Sequence, residues 1–72
     1  MAKAFTVTAI WDADAHVFTT ESDIPGLVVE AATFEEVVDL VLELAPDVIA
    51  SNVIDAVPYK VEIVTRREFA VA

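Results

Sequence analysis

Residues 21–36 force the chain through a turn, a strand and a helix start in quick succession. In Ile24-Pro25-Gly26-Leu27, Pro25 pre-sets φ at the first corner of a tight turn, and Gly26 tolerates the positive φ that a type II turn needs next. Residues 27–31 then read as a short apolar strand. Thr33 and Glu36 spell a capping box, in which each side chain serves backbone N–H groups that the helix start leaves unpaired. The helix that follows is thereby aimed back across the sheet the chain has just left.

Periodicity supplies the other elements. Phe5, Val7, Ala9 and Trp11 alternate with Thr6 and Thr8, which predicts a half-buried strand over 4–11. Asp12-Ala13-Asp14-Ala15-His16 is a turn, because Asp side chains hydrogen-bond nearby backbone. Residues 17–21 are β-prone and follow at hairpin distance. After Thr33, the residues Phe34, Val37, Val38, Val41, Leu44, Ala45, Val48 and Ile49 recur at helical spacing. Glu35 and Glu36 sit in the first turn, where carboxylates favour the positive end of the dipole. Pro46 would remove a hydrogen bond inside a helix at a cost of about 3 kcal/mol, so the helix is expected to kink or break near Leu44 and Ala45, with Pro46 opening a second short segment. Residues 51–57 lead outward. Alternation from Tyr59 through Val71 predicts one long final strand. The expectation is a single domain over 1–72 with an α+β fold of order β-β-β-α-β. An antiparallel meander carries one helix on one face, and a right-handed crossover sets the fourth strand beside and parallel to the first. That gives the sheet order 3-2-1-4.

A chain of 72 residues is near the lower limit for a core that holds alone, and such chains usually rely on disulfides, a metal or oligomerisation. There is no cysteine, which excludes disulfides and thiolate metal sites and suits a reducing cytosol. One histidine is too few for an imidazole zinc site. Oligomerisation remains, and 57% hydrophobic residues with a mean hydropathy of +0.62 agree with it. The fourth strand is an open edge, a ready template for a second copy, so a homodimer or higher oligomer through that edge is expected. No signal peptide or membrane span is visible, since Glu36, Asp39, Glu43 and Asp47 interrupt the apolar-rich stretch. The expected compartment is therefore the cytoplasm. Thirteen acidic against four basic side chains give a net charge of −9, which phosphate backbones repel. A basic protein partner fits that charge, and the same acidity also keeps an apolar oligomer soluble.

No catalytic constellation stands out, and no cofactor is expected. Asp12, Asp14, Glu21, Asp23 and Glu30 are the carboxylates available to a two-metal nuclease, whose metals sit about 3.5–4 Å apart. Asp12, Asp14 and Asp23 fall in turns at opposite ends of a strand, where they have sufficient structural work, and Glu21 and Glu30 read as cross-strand neighbours on a solvent face. His16 lies at a hairpin. Ser22 and Ser51 carry no nucleophile motif around them. Trp11 and Phe18 are aromatic at strand period, which reads as core rather than as a stacking platform. Glu36, Asp39, Glu43 and Asp47, spaced three and four apart, share one side of the helix. They are either a solvated face or an acidic stripe that docks basic side chains of a partner.

The run Phe5-Thr6-Val7-Thr8-Ala9-Ile10-Trp11-Asp12, the doublet Val17-Phe18, Ser22-Asp23-Ile24-Pro25-Gly26-Leu27, Glu30-Ala31 with Thr33-Phe34-Glu35-Glu36, and Ala45-Pro46-Asp47 with Asn52 together resemble the HicB-like antitoxin family. The likeness is to a short group of uncharacterised bacterial domains within it, and it covers most of the chain in order. The resemblance implies a partial ribonuclease-H-like fold and a binding role. Members typically pair with a small basic toxin that cleaves RNA, and mask it. Longer relatives add a C-terminal DNA-binding module, which is not expected here. The resemblance makes an antitoxin-type or regulatory binding protein the leading expectation. A homo-oligomer that binds another protein or a small ligand is the alternative, and a divergent metal-dependent nuclease a third.

Overall fold

The computed structural model describes residues 3–53, 55 and 57–71; part of the connection expected over 51–57 lies outside the described residues. The chain forms β1 (Lys3–Asp12), β2 (Val17–Ser22), β3 (Glu30–Ala31), α1 (Phe34–Asn52) and β4 (Tyr59–Arg66). They make a 4-stranded sheet of order β3-β2-β1-β4, in which β1 is antiparallel to β2 and parallel to β4. This is the β-β-β-α-β, α+β arrangement expected from the sequence.

Alternation sorts the sheet into two faces. Opposite rungs Trp11↔Phe18, Phe5↔Val61 and Val7↔Ile63 carry the apolar side chains on the face under α1. The row Val37, Val41, Ala45 and Ile49 descends onto that face and closes the core over Phe5, Val7, Ala9, Phe18 and Ala31, with no buried polar or charged residue among the described ones. The opposite face carries Thr6, Thr8, Glu21, Lys60 and Glu62 and is covered by no other element. The helix buries Phe5, Val7 and Ala9 of β1 but covers β4 only in part: Tyr59, Val61 and Ile63 remain half-buried.

The turn at Ile24-Pro25-Gly26-Leu27 closes through a hydrogen bond from the Leu27 N–H to the Ile24 carbonyl, 3.2 Å, with Gly26 at φ 84°. A Cβ at Gly26 would come within 3.3 Å of Asn52 Nδ2, so the turn lies directly against the last turn of α1. Thr33 caps α1 as expected, its hydroxyl accepting from the Glu36 N–H at 3.1 Å, but the return half of the box differs: Glu36 Oε1 accepts from the Thr33 hydroxyl, also at 3.1 Å, rather than from a backbone N–H. The other end is closed by the Val53 N–H on the Ile49 carbonyl and by Asn52 Nδ2 on the Val48 carbonyl.

Three expectations need correction. First, α1 is one helix rather than two segments, with Pro46 inside it. Pro46 is exposed, so its ring lies on the solvent side, where water can satisfy the carbonyl left without a partner one turn earlier. Second, β3 spans only Glu30–Ala31, not 27–31. The Thr20 hydroxyl accepts from the Val29 N–H at 3.0 Å and donates to the Val29 carbonyl at 3.2 Å, occupying the groups that a longer ladder would use. Third, β4 ends at Arg66 rather than Val71. Its partner β1 ends at Asp12, so residues 67–71 have almost no strand left to pair with.

Candidate functional site

The carboxylates of the hairpin and turn are engaged in local structure. Asp12 Oδ1 accepts from the N–H groups of Asp14 and Ala15, at 3.0 and 3.2 Å, and the His16 N–H closes the turn on the Asp12 carbonyl at 2.8 Å. This holds His16 at φ 57°. Asp23 Oδ1 accepts from the Thr6 N–H at 2.8 Å and pins the Pro25-Gly26 turn to β1. Asp12 and Asp23 thus serve opposite ends of the hairpin. Glu21 lies opposite Thr8 and Glu30 opposite Thr19, which makes Glu21 and Glu30 diagonal cross-strand neighbours on the exposed face rather than a directly opposed pair. The register is the reason: continued past Thr19↔Glu30 it would set Glu21 opposite Val28. Among the described residues, no three of His, Cys, Asp and Glu gather as a metal-holding group.

Ser22 is bound into a local turn, its hydroxyl accepting from the Ile24 N–H at 3.3 Å, while Ser51 is exposed on the last turn of α1. Phe18 is buried. Trp11 is half-buried, with its ring centroid 5.0 Å from that of Phe18 and 6.4 Å from that of His16. The Arg67 guanidinium carbon stands 4.5 Å from the Trp11 centroid and 4.9 Å from that of Phe69, a cation–π stack. Sequence reasoning did not bring Arg67 to Trp11. The signal was available in the parallel register, since Ile10↔Arg66 makes Arg67 the next residue beside Trp11.

Glu36, Asp39, Glu43 and Asp47 are all exposed. At 100° per residue they lie along the side of α1 roughly opposite the Val37–Ile49 row. α1 continues through Pro46, so Asp47 belongs to the same helix as the other three. Glu36 is also tied into the cap by Thr33. The stripe presents four carboxylates along one side of one helix, a geometry that can meet several cations at once.

A second surface was not singled out by the sequence. Between the end of α1 and the start of β4 lies an apolar groove of about 460 Å3, lined by Pro46, Ile49, Ala50, Val53, Val57 and Tyr59, with Asp55 as its one carboxylate. It forms where the helix cover stops short of β4. Sequence periodicity reports which face of an element is apolar, not where its cover runs out.

A sheet with one helix on one face, leaving these two surfaces exposed, defines a small α+β domain. Residues 4–71 match the model of a domain of unknown function, DUF1902, and the chain belongs to that family. It is similar in structure to the hypothetical protein TTHA1013 from the extremely thermophilic bacterium Thermus thermophilus. That crystal structure superposes with a TM-score of 0.80 at 31% identity, over 96% of this chain and 100% of that one. No curated protein matches the chain significantly.

Proposed function

We propose that this protein acts by binding rather than by catalysis, as an antitoxin-type or regulatory module of HicB-like kind that masks a small basic RNA-targeting toxin in the cytoplasm. The observation that carries the reading is the exposed row Glu36, Asp39, Glu43 and Asp47 on one unbroken helix. Such a row meets a basic surface with complementary potential. The net charge of −9 turns the chain away from RNA itself and toward proteins that bind RNA. No helix among the described residues is long and apolar enough to cross a membrane. The protein works as a homodimer or higher homo-oligomer through the open edge of β4. An oligomer that binds a different protein or a small ligand is the second reading, favoured by the apolar groove beside Tyr59.

The test is the combined variant Glu36→Lys, Asp39→Lys, Glu43→Lys, titrated against the basic RNA-cleaving protein encoded beside this one. Affinity is expected to fall by about tenfold or more, mainly at low salt. Unchanged affinity removes the stripe from the interface, and the lack of any such neighbour that binds favours the second reading. Magnesium- or manganese-dependent RNA cleavage that Asp12→Ala abolishes would replace both with a nuclease.

A further inference from the structure

The few cations of this acidic chain are concentrated on one strand. Three of the four basic residues, Lys60, Arg66 and Arg67, lie with Glu62 and Glu68 in a segment that is net positive, although the whole chain carries −9. Within this segment β4 pairs only with β1, so its other edge is open. Beyond Arg66 the chain exposes Phe69 (72%) and Val71 (92%), and before Tyr59 it exposes Val57 (78%). Arg67 still follows the alternation of the strand, since its guanidinium lies over Trp11 on the helix-side face, and it stacks on Phe69 as well. The strand thus has an apolar arm at one end and an apolar groove at the other.

We propose that two copies of the chain join through β4 in an antiparallel register centred on Val64, so that residues 57–71 of each extend into one shared ladder. The inference rests on the self-associating binding protein described above and specifies its interface. Residues opposite each other in an antiparallel pair share a face. Centred on Val64, the register sets Glu62 against Arg66 of the second copy and Lys60 against Glu68, and the two-fold axis repeats each pair. On the helix side, Tyr59 meets Phe69 and Val57 meets Val71 of the second copy. Phe69 thereby reaches the groove of about 460 Å3 beside Tyr59, Ile49 and Val53.

Other registers do not combine these features. A centre at Ile63 sets Lys60 against Arg66, one at Glu62 sets that carboxylate against its own copy, and one at Thr65 sets Glu62 against Glu68. Like charges held directly opposite destabilise a pair. A centre at Val61 avoids this, but it leaves Phe69 uncovered. The Val64 register joins the 4-stranded sheets of both copies into one and covers Val57, Phe69 and Val71 together.

Sedimentation equilibrium on the full chain tests this with Glu62→Arg and Arg66→Glu, made separately. Both positions are on the exposed face of the sheet, and circular dichroism checks that each variant is folded. The wild type is expected to dimerise. Each variant alone places like charges at both junctions and should raise the dissociation constant by about tenfold or more. Mixing the two variants in equal amounts should restore the dimer, because every junction then joins an arginine to a glutamate. Phe69→Ser should weaken the wild-type dimer in the same assay. Variants that dimerise as tightly as the wild type, or a mixture that stays dissociated, overturn the register. An unaffected Phe69→Ser dimer removes the arm from the groove and overturns that part. A wild type that stays at 7.8 kDa at micromolar concentration overturns the dimer itself. Partner masking is read independently, since the α1 reversals leave β4 untouched.

Discussion

Thr20 does with one hydroxyl what a rung of backbone does elsewhere in the sheet. It accepts from the Val29 N–H and donates to the Val29 carbonyl, and Val29 is only 5% exposed, so both backbone groups depend on it. Thr20→Val keeps the shape and removes both bonds. Unfolding in urea should show a loss of about 1–3 kcal/mol with the slope unchanged, while Thr20→Ser retains most of the stability. This substitution of side chain for backbone is why the third strand was legible as extended chain but not in its true length: 27–31 has the right residue types, and no periodicity records where its hydrogen bonds go. Asp12, Asp23 and Thr33 were more transparent. Each stands at a turn or cap; Asp12 and Thr33 make the local bond that position calls for, while Asp23 reaches across to the Thr6 N–H of β1.

The elements themselves were largely written in the alternation and helical spacing of the apolar residues. β1, β2, the start of α1 at Thr33 and the 3-2-1-4 order all follow from them, because one-sided burial fixes register. Pro46 is the exception. Propensity argues for an interruption, but tertiary packing of Val41, Ala45 and Ile49 carries the helix through it while the ring stays in solvent. Pro46→Ala restores an N–H donor within α1 and is expected to stabilise the protein by about 1–2 kcal/mol, the helical gain being partly offset by a freer unfolded chain. Thermal unfolding monitored at the helix signal checks this, and a lower midpoint would show that the proline is needed where it lines the groove. The four carboxylates of the stripe were legible as neighbours from their spacing alone. The groove was not, because it arises between α1 and β4 and belongs to neither pattern.

Across the whole molecule the net charge of −9 meets little local compensation. The Arg66–Glu68 pair, at 4.0 Å, is fully in solvent reach and adds little. Self-repulsion among the carboxylates therefore opposes folding, and salt should relieve it. Raising sodium chloride from about 10 mM to about 0.5 M is expected to raise the melting temperature. A fall would mean that attractive pairs dominate instead. The sheet has one more consequence, in time rather than in space. β1 is one of the two inner strands, yet one of its two neighbours is β4, from the far side of the helix in sequence. Contacts between such distant segments form late, because a long loop must close before they form. Until Tyr59–Arg66 arrives, β1 offers a free row of backbone groups beside an apolar face. A chain stalled or clipped before Tyr59 is thus not a smaller version of this protein but a sticky intermediate, suited to recognition by chaperones and proteases.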